Sequence, residues 1–213
     1  STVFHAAGVR VLPEALVDQV YLPGRKGSLQ VEMLVASRRN GLPAYPLKPK
    51  LEAVLREVAA GNPVLVFQNL SLPIYPVWHY AVVIGFDRNR NTLILHSGRT
   101  PRLEMSLATF ERTWARGDYW SMVALAPGRL PATAEPDGYA QSVAALERVN
   151  PKAAQTAYVA ALKKWPTHRA LLFGSGNAAY ALGHLPAAAV AYRATVQAHP
   201  DFADGWNNLA QVQ

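Results

Sequence analysis

The sequence predicts an α+β domain followed by an all-α repeat domain, and three observations carry that prediction. Residues 1–126 begin with helical periods and switch to β-rich apolar runs, the order expected when helices pack on an antiparallel sheet. Residues 138–213 are helical in pattern throughout and rich in alanine. Between them Pro127, Gly128, Pro131, Pro136 and Gly138 give linker composition, which places a linker at 127–137. With 213 residues, 50% of them apolar, the chain can bury a sizeable core.

Each element of the first part has a local cause. Ser1 to Ala7 reads as the tail of a helix that buries Val3, Phe4 and Ala7, and Gly8 supplies the left-handed stop. A short helix follows from Pro13, and Leu22-Pro23-Gly24-Arg25-Lys26-Gly27 reads as a turn. Ser28 is placed to cap a helix that runs to Asn40-Gly41 with Leu29, Met33, Leu34 and Ala36 as its apolar residues. Another helix spans about Leu51 to Ala60 and ends at Gly61-Asn62-Pro63. The period then shortens to two. Val64–Phe67, His79–Phe86, Thr92–Leu95 and Trp120–Ala124 read as strands, and Asp87-Arg88-Asn89-Arg90-Asn91 as a hairpin turn.

The second part repeats. Pro166 and Pro200 lie 34 residues apart, and at that offset Tyr158 meets Tyr192, Ala157 meets Ala191 and Leu172 meets Trp206. Trp206-Asn207-Asn208-Leu209-Ala210 opens one unit, and Leu172, Gly176, Ala179, Gly183, Ala188, Tyr192 and Pro200 fall in register in the unit before, where Ser175 stands at a position usually leucine. The period and these residues resemble the tetratricopeptide repeat. The resemblance implies about two and a half units over 138–213, with further repeats or a capping domain expected to complete the stack, and a protein partner on the repeat surface.

Three segments of residues 1–126 carry a second resemblance: Tyr21 to Leu34, Pro63 to Leu70, and Trp78-His79-Tyr80 with the apolar run behind it. Together they resemble the bacteriocin-processing, double-glycine leader peptidase family of papain-like cysteine peptidases, in a stand-alone bacterial branch that carries tetratricopeptide repeats. The resemblance implies a papain-like fold, a peptide or protein substrate and no cofactor. It also implies a Gln-Cys-Gly-Pro motif, expected upstream of Ser1, and location in the bacterial cell envelope or periplasm. Any membrane contact would come through a lipid anchor outside this chain. The implied reaction is hydrolysis through an acyl-thioester. The sequence contains no cysteine, so the 213 residues are expected to be inactive alone, and the alternative is a catalytically inactive peptide-binding module on a peptidase scaffold.

His79 takes the position of the family's catalytic base, which would share the thiol proton and later protonate the leaving amine. Its alternative is a strand histidine satisfied by the backbone. Where the family carries an orienting Asp, this chain has Leu95-His96-Ser97-Gly98. His96 replaces that Asp by register, either orienting His79 or lying at a strand end on the surface. A neutral imidazole there cannot stabilise an imidazolium as a carboxylate does. Gln68, Asn69 and Trp78 are candidates to bind substrate, with loop capping as the alternative for the two amides.

Composition excludes several other classes. The net charge of +7 is concentrated in residues 1–130, which hold 15 basic and 9 acidic residues, but the basic residues are scattered pairs without interleaved aromatics, so nucleic acid is not an expected partner. The absence of cysteine excludes disulfide and thiolate–metal sites within these residues. His79 and His96 have no acidic residue at a fitting spacing, so no metal is expected. His168, His184 and His199 fall at repeat termini, where a surface position is expected, and no apolar run approaches the roughly 18 residues that span a bilayer.

Overall fold

The computed structural model describes residues 2–21, 24, 27–98 and 100–213; the expected turn at 22–27 and the start of the first helix at Ser1 lie largely outside them. The chain forms two compact units. The first comprises Ser1–Ala36, Tyr45–Leu125 and Pro131–Thr133, and the second Ser37–Ala44, Ala126–Leu130 and Ala134–Gln213.

The first unit opens with α1 (Thr2–Ala6), α2 (Pro13–Val20) and α3 (Gln30–Arg39), whose last three residues count with the second unit. Val3 and Phe4 are buried and Gly8 adopts φ +80°, which ends α1. The third helix opens at Gln30, two residues after the expected cap Ser28, whose carbonyl accepts a hydrogen bond from the Tyr80 hydroxyl at 3.3 Å. A short strand β1 (Ala44–Pro46) precedes α4 (Leu51–Ala59), and the remaining sheet is built from β2 (Val64–Asn69), β3 (Trp78–Asp87), β4 (Thr92–Ser97), β5 (Thr100–Ser106) and β6 (Ser121–Ala124), with α5 (Leu107–Ala115) between the last two.

The strands form one sheet in the order β1-β6-β2-β3-β4-β5. The β6–β2, β2–β3, β3–β4 and β4–β5 pairs are antiparallel, as the hairpin pattern predicts. The sequence did not announce β5 or α5. Strand β5 lies at the sheet edge, where Pro101 costs no ladder bond, and its mixed residues TPRLEMS hide the period-two signal. The signal for α5 was present: Ser106 accepts from the Thr109 N–H at 3.2 Å as an N-cap, and Phe110 and Trp114, one turn apart, are both fully buried. Packing of α5 on β2 covers the core face of the sheet, where Val64, Val66, Ala81, Val83, Leu93 and Leu95 are all at most 1% exposed.

Part of the expected linker is tied down. Glu57 of α4 is fully buried, and its carboxylate accepts from Asn62 Nδ2 (2.7 Å), Ala132 N (3.1 Å), Thr133 N (2.7 Å) and Thr133 Oγ1 (2.6 Å). Two of those donors are backbone N–H groups of residues 131–133, which therefore belong to the first unit.

The second unit stacks α6 (Pro136–Glu147), α7 (Pro151–Leu162), α8 (Arg169–Ala181), α9 (Leu185–Ala198) and α10 (Ala203–Gln211), each helix packing on the next and α6 also on α8. Prolines in the first turn of α6, α7 and α9 start those helices without sacrificing a bonded N–H. The 34-residue repeat has a packing reason centred on α8. A Cβ added at Gly174 would come within 2.4 Å of the Tyr158 ring on α7, and one at Gly176 within 2.4 Å of the Tyr192 ring on α9. Glycine at both positions lets two buried tyrosines lie against the α8 backbone.

Candidate functional site

His79 is the second residue of β3, and its environment follows from strand register. Gln68 pairs with His79, and Phe67 with Tyr80, so successive residues alternate between the core face of the sheet and the opposite face. His79 Nε2 and Ser97 Oγ lie 2.8 Å apart. Ser97 is the cross-strand partner of Ala81, two residues from His79 and on the same face. His96 pairs with Val82 and takes the other face, where its Nδ1 lies 3.2 Å from Thr2 Oγ1. The expectation that His96 orients His79 is therefore corrected: the two imidazoles sit on opposite sides of the sheet.

A β-bulge causes the exchange. Near the turn the hairpin pairs Asp87 with Thr92, Phe86 with Leu93 and Gly85 with Ile94; continued unbroken, that register would set Val83 against His96 and bring His96 to the face of His79. Between Val83 and Gly85 the register shifts by one, so Val83 meets Leu95 and Ala81 meets Ser97.

Partial burial, with no compensating carboxylate, lowers the His79 pKa below its ordinary value of 6.5. The imidazole is thus neutral at pH 7, with one nitrogen held by a hydroxyl. Such a group can accept or share a proton, but Ser97 supplies no charge to stabilise an imidazolium.

The other candidates separate into different roles. Gln68 shares the face of His79, yet its side chain is 1% exposed and its amide donates to Thr113 Oγ1 at 2.7 Å, so it ties β2 to α5 and does not line an open cleft. Asn69 takes the loop-capping role: its Oδ1 accepts from the N–H groups of Ser71 (3.0 Å) and Val77 (2.9 Å). Trp78 is half exposed, stacked on Phe67 with centroids 5.0 Å apart and rings 11° from parallel. Of the residues proposed from sequence, Trp78 is exposed and His79 half-buried at the end of β3, on opposite faces of the sheet. Ser97 was visible in sequence only as the neighbour of His96.

In the second unit, the buried tyrosines end on polar groups. Tyr158 donates to Glu147 Oε2 at 2.8 Å and Tyr192 to Asn177 Oδ1 at 2.9 Å, while Asn208 Nδ2 donates to the same Asn177 oxygen at 3.3 Å. Glu147, Asn177 and Asn208 lie on α6, α8 and α10, the first helix of each pair, and burial raises the Glu147 pKa above the usual carboxylate value. Residues 139–201 and 173–213 match the tetratricopeptide repeat family. No curated protein and no solved structure matches the chain. The tetratricopeptide match starts at Tyr139 and covers the stacked helices alone; repeats of this kind mediate protein–protein interaction.

The turns between repeats line an open depression of about 610 Å³ bordered by Asp137, Lys164, Trp165, His168, Arg169 and His199. His168 Nε2 pairs with Asp137 Oδ1 at 3.0 Å, and His199 Nε2 lies 2.8 Å from the Thr167 carbonyl. Both histidines are half buried, where sequence position alone suggested surface residues, while His184 is exposed. Among the described residues no three His, Cys, Asp or Glu side chains group as metal ligands.

Proposed function

We propose that the protein is an adaptor: its repeats recruit a protein partner, and its first unit, which resembles a papain-like peptidase, holds a peptide at the Trp78–His79 end of the sheet without cutting it. The observation that carries the reading is the repeat array, with its tyrosine hydroxyls converging on the Glu147, Asn177 and Asn208 row. Tyr180 is exposed one turn from Asn177 on α8, and its hydroxyl accepts from Gln211 Nε2 at 3.1 Å. A Tyr180→Arg variant of the full chain places a charge beside this row without entering the core. Proteins retained by the wild type are expected to be lost from the variant, and unchanged retention would sink the repeat half of the proposal.

The second reading is hydrolysis with His79 as base, supported by its contact with Ser97 and its neutral state at pH 7. The 213 residues supply no thiol, so peptides incubated with them are expected to stay intact. Cleavage that disappears in His79→Ala would replace the holding reading with the hydrolytic one.

A further inference from the structure

Among the described residues of the first unit, the two most exposed large apolar side chains, Ile74 and Tyr75, lie in the connection between β2 and β3. Leu70, Leu72, Ile74, Tyr75, Val77 and Trp78 are all exposed, with Ile74 and Tyr75 at the apex each 75% accessible. From Gln68 to Phe86 the sequence holds no Asp, Glu, Lys or Arg. We propose that residues 70–77 form a preformed anchor that inserts into the interface of an anionic lipid bilayer. This goes beyond the adaptor reading and does not depend on it.

Three features favour lipid as the occupant over protein. Four of the six backbone N–H groups between Leu70 and Val77 are already paired within the protein, which lowers the cost of an apolar medium. Pro73 and Pro76 have no N–H, Ser71 and Val77 donate to Asn69 Oδ1, Leu70 donates to the Val77 carbonyl, and Tyr75 donates to the Leu72 carbonyl. Arg116 adds a 2.7 Å bond to the Ser71 carbonyl and braces the loop base. Secondly, a protein interface carries orienting polar side chains, and this loop carries only Ser71. Its aromatic residue, Tyr75 at the apex, is of the amphipathic type that settles at the headgroup level. Thirdly, the charge is complementary: the residues of the first unit (1–36, 45–125 and 131–133) hold 12 basic against 9 acidic side chains, which draws the unit toward anionic headgroups. The loop thus offers a membrane contact within the chain, whereas the family resemblance implied only an anchor outside it.

The test is co-sedimentation of the full chain with vesicles of phosphatidylcholine alone and of phosphatidylcholine mixed with phosphatidylglycerol. Binding is expected to the mixed vesicles, weaker to the neutral ones, and reduced at least about tenfold by Ile74→Asp or Tyr75→Asp. Both positions are exposed, so thermal unfolding of these variants should match the wild type. Val190→Asp, at a position 65% exposed on α9, controls for loss of an apolar surface residue and should bind as the wild type does. No sedimentation with either vesicle, or sedimentation insensitive to the loop variants, overturns the proposal. A wild-type dimer in lipid-free buffer that Ile74→Asp converts to monomer would also overturn it, by showing that a second copy covers the loop.

Discussion

The buried Glu57 carboxylate gives the sharpest test of how the first unit holds its last segment. Oε1 accepts from the Thr133 N–H and hydroxyl, and Oε2 from the Ala132 N–H and the Asn62 amide. In Glu57→Gln one oxygen becomes an NH2 group. Whichever oxygen is replaced, the Thr133 hydroxyl or the Asn62 amide can turn to accept, but one backbone N–H then faces a donor. A buried unsatisfied donor costs about 1–3 kcal/mol, and loss of charge assistance in the remaining bonds adds to that, giving about 2–4 kcal/mol for Gln. Glu57→Ala removes all four bonds and is expected to cost about 3–5 kcal/mol, a large share of the roughly 5–15 kcal/mol that keeps a domain folded. Because the chain has two units, a global unfolding midpoint mixes their contributions. Amide hydrogen exchange at Ala132 and Thr133 reads the latch directly. Protection at both is expected to fall in Glu57→Gln, with the helices of the second unit unchanged. Undiminished protection at Thr133 would show that Glu57 does not hold this segment.

Gly176→Ala adds helix propensity of about 1 kcal/mol, yet its Cβ would meet the Tyr192 ring at 2.4 Å, and overpacking of that kind costs about 1–3 kcal/mol, so net destabilisation by urea titration is expected. A gain in stability would mean the ring is free to move aside. Ser97→Asp is expected to raise the titration midpoint of His79 by placing a carboxylate against the imidazole, while His96→Asp, on the other face, leaves it nearly unmoved. Histidine resonances followed by NMR decide this, and the reverse order would overturn the bulged register.

The repeat half was the more legible from sequence because its signal is local. A 34-residue offset, prolines in first turns and tyrosines at fixed spacing all survive without knowledge of the tertiary structure. The first unit was legible wherever period and punctuation agree: α4 ends at Gly61 with φ +78°, and the β3–β4 hairpin turns on Asp87, whose carboxylate accepts from the N–H groups of Asn89 and Arg90. Elements without a clean period escaped. Strand β5 sits on an edge with exposed residues on both faces, and nothing in the sequence marked Glu57 as buried because three of its four donors lie 75 or 76 positions away.

The site failed to be legible for a different reason, one residue of register. Period-two reasoning assigns faces only if the strand is unbroken, and the bulge at Ile84 exchanges His96 for Ser97 beside His79. That exchange has chemical weight. A carboxylate partner favours the protonated imidazole, whereas a hydroxyl leaves its charge uncompensated, and partial burial already favours the neutral form. The unfolded chain therefore takes the His79 proton first, so the stability this residue contributes is present above pH 6.5 and lost as the pH falls from there through the lower folded-state value. Both effects disfavour the imidazolium that a thiolate–imidazolium pair or a general acid needs. A strand end that keeps its histidine neutral therefore lacks the charge compensation that a catalytic imidazolium needs.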